Sequence, residues 1–545
     1  MVNHVEDKVL VGPAPDSAWK PLAISPYGRM WFAALVSNIG GFMQNVGAAW
    51  FLTVAGLSAT WLGGLQAASA LPMFLFGLFA GVLADLRNRR TIILAAQVWL
   101  ILTSGLLAWF AYSGILTPLL LLALSFSMGI GSAFHMPAWT ATLPRLVPKD
   151  QLAAAVALSG VSVNLARAVG PALGGAVISA SSVAVTFFCN ALTFIFVLAI
   201  VWTWHPTPAQ SPTVRSSEKY LAASKLSLIY AWRSPGVRAV LVRSFVALFA
   251  AGALWALLPL RARNDLGLSS GGLGFLLGCV GTGSVAGVFL LGQVRRRGMP
   301  IDHILSAGAT IFALSTFIAA TEDSFIVVSL ALAVGGIGWI AMMATFNLCA
   351  QISVAGWVQA RAVALFLVIT QGAMALSGIA WGYFSDLSTV STALGISAAA
   401  LILQIALTRI WPLSWLSGRD LTPSETFAKK VAGHEFKDRD GPIEVRISYH
   451  VPPDKKEVFL AALYELRNVR LRDGGYDWNV LCTPHQPDIY EEVFWISTWA
   501  DHLLQHERLT KADEDIYQRV QSFHVGDSVP AVVHRTAVKA EDRTV

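Results

Sequence analysis

The stretch WFAALVSNIGGFMQNVGAAWFLTVAGLSATWLGGLQAASALPMFLFGLFAGVLADLRNRR, residues 31–90, decides the fold class. It holds two apolar runs, each near the roughly 20 residues that an α-helix needs to cross about 30 Å of hydrocarbon. A short break, AGLSAT, joins them, and the basic cluster RNRR ends the second. Runs of this kind recur between Met30 and Trp411, near 30–55, 61–84, 92–112, 117–137, 155–179, 182–203, 238–260, 271–293, 303–320, 325–349, 360–384 and 389–411. The fold class expected is therefore an all-α polytopic membrane protein.

Composition agrees. Hydrophobic residues make up 55% of the chain, charged residues 13%, and mean hydropathy is +0.58; a soluble domain carries about 25% charged residues. The 45 glycines suit helices that pack closely through small side chains in lipid. Loops after even-numbered spans carry Arg87, Arg89 and Arg90, then Arg145 and Lys149, then Arg215, Lys219, Lys225 and Arg233, then Arg295 to Arg297 and, at the far edge of the last such loop, Arg361. Loops after odd-numbered spans carry only Arg261 and Arg263. Cytoplasmic loops are the Lys- and Arg-rich ones, so both termini are expected in the cytoplasm. The same loops account for the net charge of +6, and no nucleic-acid partner is expected.

The long polar segment 205–237 divides the membrane part into six spans, 30–204, and six more, 238–411, the layout of repeat-built transporters with a midplane substrate site. Residues 1–29 read as a cytoplasmic leader without the features of a signal peptide, and 412–441 as a linker. From 442 to 538 the pattern becomes that of a small soluble module: strand 443–450, helix 454–467, strands 476–481 and 492–498, helix 500–522, strand 529–534. That succession is ferredoxin-like α+β.

Polar residues inside spans are costly and mark pathways or helix-to-helix bonds. They are Asn38, Gln44 and Asn45 in span 1, Gln66 in span 2, Asn164 and Arg167 in span 5, Asn347 in span 10 and Gln371 in span 11. Arg167 lies twelve residues into its span and three after Asn164, on one helix face. It reads as an anchor for an anionic group, a coupling charge, or a structural bond to carbonyls or Asn164. Gly170, Pro171, Gly174 and Gly175 follow it and point to bending and close packing. No carboxylate falls deep inside any span, which weakens simple proton antiport, although a proton remains the candidate coupling ion. Cys189, Cys279, Cys349 and Cys482 form no CxxC pair, and no metal site or cofactor is expected. No GxxxxGK[ST] phosphate loop occurs, so energy is expected from a gradient or a partner.

GVLADLRNRR resembles the signature loop of the major facilitator superfamily. The resemblance implies a twelve-helix 6+6 fold and a gating role for Gly81, Asp85, Arg89 and Arg90, with Gly81 allowing close helix approach. The counterpart after span 8, GQVRRRG, has no acid. Further stretches narrow the likeness: SNIGGFMQNVGAAWFLT, MPAWTATLPRLVPKDQLAAAVALSGVSVNLARAVGPALGG, RSFVALFAAGALWALLPLRAR, and RDGGYDW with STWADHLLQHERLTKAD. These resemble the bacterial transmembrane secretion effector branch, related to the enterobactin exporter. That implies a multi-pass inner-membrane protein, lipid-embedded, exporting a small amphipathic molecule by alternating access.

The tail resembles the dimeric α/β-barrel group that includes antibiotic-biosynthesis monooxygenases. It implies a pocket with Trp478, Trp499, His502 and Arg508, proton exchange at His502 near neutral pH, and a candidate dimer contact. No Ser/His/Asp set accompanies them, so a regulatory tail on a non-enzymatic transporter is the expectation. The alternative is a membrane-tethered enzyme or sensor working through that tail.

Overall fold

The computed structural model describes residues 19–204, 230, 232–413, 420–424, 436–525 and 529–537. Most of the expected leader, central segment and linker lies outside the described residues. So do the side chains of Asp85, Leu86 and Ala360.

Two compact units are formed. The first takes in the described residues up to 204, then 241–347 and 364–412; the second takes in Tyr230, 232–240, 348–363 and the tail. Twelve long helices follow one another through the described membrane part. They are α1 Ser25–Val54, α2 Ala59–Leu86, α3 Arg89–Tyr112, α4 Pro118–Thr142, α5 Leu152–Ala180, α6 Val183–Thr203, α7 Pro235–Leu260, α8 Ser270–Arg296, α9 Ile301–Thr321, α10 Phe325–Ile352, α11 Gln359–Leu387 and α12 Val390–Ile410. Eleven are long and apolar enough to cross a membrane. The exception, α1, has 30 residues, but Asn38, Gln44 and Asn45 dilute its apolar character.

Local chemistry sets several boundaries. Asn88 caps α3 by accepting from the Arg90 backbone N–H at 3.0 Å, and Thr117 caps α4 through Leu120 at 3.2 Å. Arg89 donates to the Ala141 carbonyl at 2.5 Å, and Arg90 to Trp202 at 2.6 Å and Val201 at 3.2 Å. Both guanidiniums thus meet the free carbonyls at the ends of α4 and α6, where the helix dipole favours cations. A Cβ built on Gly81 meets nothing within 4 Å, so the close approach expected there does not occur.

Close approach occurs instead along α5. A Cβ on Gly174 would lie 2.9 Å from the Met43 Cα of α1, and one on Gly274 of α8 would lie 2.5 Å from the Pro171 carbonyl. Gly170 meets Phe42 and Ile39 in the same way, and Gly175 meets Ser270 and Gly274. The GPxxGG run therefore seats α5 between α1 of the first six helices and α8 of the second six. Only residues without bulk allow backbones this near.

In the tail, β1 Ile443–His450, α13 Lys456–Arg472, β2 Tyr476–Thr483, β3 Gln486–Ile496, α14 Trp499–Arg508, α15 Lys511–Gln521 and β4 Ala531–Thr536 make a four-stranded antiparallel sheet of order β2-β3-β1-β4. Val445 pairs with Phe494 and with His534, which sets one face toward the helices. Where one helix over 500–522 was expected there are two. Leu509 is extended, and Thr510 opens α15 with a reciprocal capping box to Asp513.

Candidate functional site

Helix polarity assigns each end of the membrane unit its residues. One end collects the start of α1, the ends of α2, α4 and α6, and Arg87, Arg89 and Arg90; it is called here the basic end. At the opposite end α2 and α11 touch. The Asp386 carboxylate, one residue short of the end of α11, accepts from the Ala59 N–H at 2.7 Å, the Thr60 N–H at 3.0 Å and the Thr60 hydroxyl at 2.5 Å. It therefore caps the N-terminus of a helix in the other half. Beneath it Gly63 and Gly378 put their backbones together: a Cβ on Gly378 would lie 2.6 Å from the Gly63 carbonyl. Ser179 of α5 and Ser270 of α8 share a hydrogen bond of 2.8 Å at the same end.

Between these contacts and the basic end lies a cavity of about 730 Å³, lined by residues of both six-helix halves, from Met30, Trp31 and Trp139 to Trp255 and Gln371. Asn38, Gln44, Asn45, Gln66, His135 and Arg167 face it too, whereas Asn164 and Asn347 do not belong to its lining. Gln44 is spent on structure: its carbonyl accepts from Asn190 at 2.6 Å and Ser104 at 2.9 Å, tying α1 to α6 and α3. Gln66 donates to the Met374 carbonyl at 3.2 Å, which ties α2 to α11. His135 stacks on Trp139 with centroids 5.3 Å apart. Arg167 donates to Asn164 at 3.3 Å and lies 5.8 Å from the Phe42 ring centroid. A cation at the centre of a span costs about 2.5–3.5 kcal/mol on insertion scales, so a polar cavity is where such a residue is tolerated.

Two charged sites escaped the sequence reading. Arg243 of α7, wholly buried, pairs with Asp302 of α9 and donates to the Trp411 carbonyl at 3.1 Å. Its signal was an arginine inside the run RSFVALFAAG. Asp386 fell two residues past the expected end of span 11, although a carboxylate at a span edge opposite a Ser-Ala-Thr helix start was a capping signal. Arg261, one of two bases on the otherwise base-poor side, is neutralised by Asp265 at 2.9 Å and Asp323 at 2.7 Å. Half of the exception to the charge bias is thus an ion-pair cluster, and the other base, Arg263, lies over the Trp50 ring at 5.6 Å.

The tail residues are placed as follows. Trp478 donates to Glu492 at 2.9 Å, and that fully buried carboxylate also receives Arg470 at 3.2 Å and Tyr449 at 3.1 Å. Trp499 and His502 stack with centroids 5.1 Å apart, and His502 Nε2 lies 3.0 Å from His534 Nε2. Arg508 sits over the Trp357 ring at 4.6 Å. Burial, reinforced by His506 and His534, pushes His502 down from 6.5 to about 2, so it stays neutral and does not exchange protons near neutral pH. Below about pH 6.5 the unfolded chain takes up a proton that the folded tail refuses, so stability falls with pH by up to about 1.4 kcal/mol per unit for this group. Thermal unfolding of the tail between pH 7.5 and 5 should show that fall, and His502→Gln should reduce it without abolishing it, because burial also holds His506 down to about 4 and it contributes over the same range; an unchanged slope in the variant refutes the assignment. Among the described residues no group of three His, Cys, Asp or Glu side chains is arranged to hold a metal ion.

The sequence profile of the transmembrane secretion effector family matches residues 16–543. The staphyloferrin A transporter of Staphylococcus aureus is 24% identical over 31% of this chain and 42% of its own length. Macrolide efflux protein A of Streptococcus pyogenes is 29% identical over 26% of this chain and 36% of its own. The chain thus spans less than half the length of these two relatives. A bacterial homologue of the human lysosomal transporter Spinster, solved inward-facing and unoccupied, superposes with a TM-score of 0.56 over 74% of this chain and 97% of that one at 14% identity, a likeness of fold. With twelve helices in two halves around a cavity and a family match along nearly its whole length, the chain belongs to the transmembrane secretion effector family of major facilitator transporters.

Proposed function

We propose that this transporter exports a small amphipathic molecule across a bacterial inner membrane by alternating access, with the basic end and both termini in the cytoplasm. The observation that carries the reading is the cavity itself: apolar and aromatic with a few polar groups, reaching the basic end, and separated from the other end by the Asp386, Gly63–Gly378 and Ser179–Ser270 contacts. That is the arrangement of a carrier open toward the side from which cargo is loaded. The efflux relatives support the direction. The GVLADLRNRR loop is the gate: Asp85 pairs in one state and is released in the other, which sets the balance between them. Energy comes from a gradient, with a proton the candidate coupling ion; the tail is regulatory and offers a dimer contact.

Inverted membrane vesicles containing the protein are expected to accumulate cargo only when a gradient is imposed. Asp85→Asn is expected to slow the process by about tenfold, the factor that about 1.4 kcal/mol carries. Accumulation no greater than in vesicles lacking the protein, across a panel of drugs and siderophores, refutes the proposal.

A further inference from the structure

Among the described residues of the membrane unit, Arg243 and Arg261 are buried and Arg167 is half-buried at the cavity wall, and the chain treats them differently. Arg243 has Asp302, and Arg261 has Asp265 and Asp323. Arg167, the one facing the cavity, has the neutral partners Asn164 and Phe42. Among the described residues no acidic side chain pairs with it, and the cavity lining holds no aspartate or glutamate and no second lysine or arginine. Where a buried arginine serves structure here, a carboxylate compensates it; at Arg167 that compensation is left to whatever enters.

One further donor, the Trp255 indole, points the same way, and the Ser162 hydroxyl can donate beside it. The Trp255 indole Nε1 and the Ser162 hydroxyl are buried, belong to the cavity lining, and have no hydrogen-bond partner among the described residues. A buried donor without an acceptor is costly, and an anion supplies several acceptor lone pairs at once. We propose that the cargo is an organic anion, an aromatic or aliphatic body carrying a carboxylate, sulfonate or phosphate, whose charged group pairs with Arg167 while its apolar part lies against the aromatic walls. A cationic cargo meets repulsion from Arg167 and finds no carboxylate to receive it. An anion leaving a cell that is negative inside also moves downhill in the membrane potential. This assignment rests on the exporter reading above and narrows it to one charge class.

The test uses three probes with one ring system and different heads: 1-naphthaleneacetate, 2-(1-naphthyl)ethanol and 2-(1-naphthyl)ethylamine. Binding to the full chain in detergent is measured by calorimetry against protein-free micelles. The acetate is expected to bind at least tenfold more tightly than the alcohol or the amine. Arg167→Gln should abolish that preference and Arg167→Lys should keep most of it. Equal affinities, a preference for the amine, no binding above the micelle blank, or a preference that survives Arg167→Gln each overturn the proposal. The comparison among probes needs only the unmodified chain, so a variant that fails to fold leaves it decisive. Vesicles that accumulate the amine and not the acetate keep export and remove the anion class. An acetate that binds through Arg167 but is never accumulated removes export and keeps the binding assignment.

Discussion

Asp302→Ala is expected to destabilise the membrane unit by about 3–5 kcal/mol, the usual cost of leaving one member of a buried ion pair alone. Arg243 is fully buried, and its Nε and Nη2 have no acceptor among the described residues, so Asp302 and the Trp411 carbonyl carry all of its compensation. Loss of the carboxylate leaves a bare cation between the starts of α7 and α9 and the end of α12. Thermal denaturation of the purified chain should show a large drop in midpoint. The double variant Arg243→Met with Asp302→Leu should recover most of it, because removing both charges also removes their desolvation cost. A single variant as stable as the unmodified protein would show that the pair is dispensable.

Gly378→Val is expected to prevent closure of the end opposite the basic one. The added carbon meets the Gly63 carbonyl, and neither backbone can yield without parting α2 from α11. Overpacking of this kind costs about 1–3 kcal/mol, so the balance between states should shift by roughly 5- to 150-fold toward opening there. Spin labels at positions 57 and 388, in a background without the four native cysteines, should move apart. Asp386→Ala should act in the same direction but more weakly, by about 1 kcal/mol, because it removes a cap and leaves the backbone contact intact. Labels that stay at their original separation in Gly378→Val would sink the view that this contact is a gate.

How much of this was legible in the chain follows from how far apart the cooperating residues lie. The helices could be read because hydrocarbon imposes its demand on consecutive residues, and each span had to be apolar in itself. α1 is instructive: Asn38, Gln44 and Asn45 both weaken its apolar character and line the cavity. The GPxxGG run announced close packing, but not that Gly174 serves α1 while Gly175 serves α8. In the tail the sequence Thr-Lys-Ala-Asp at 510–513 is a capping box, and it marked the break between α14 and α15 that amphipathic periodicity concealed.

The amino-acid sequence alone determined the number and course of the long membrane helices, the division into six and six, the basic end, the separate tail and the resemblance to the family, since each depends on local composition or on motifs a few residues long. Only the tertiary structure decided which polar residues share the cavity, that Gln44 is spent on Asn190 and Ser104, that Asp386 caps a helix beginning 327 residues earlier at Ala59, and that Arg243 and Arg261 are paired while Arg167 is not. Hydrogen bonds and ion pairs act over about 3 Å in space, and nothing in their strength depends on separation along the chain.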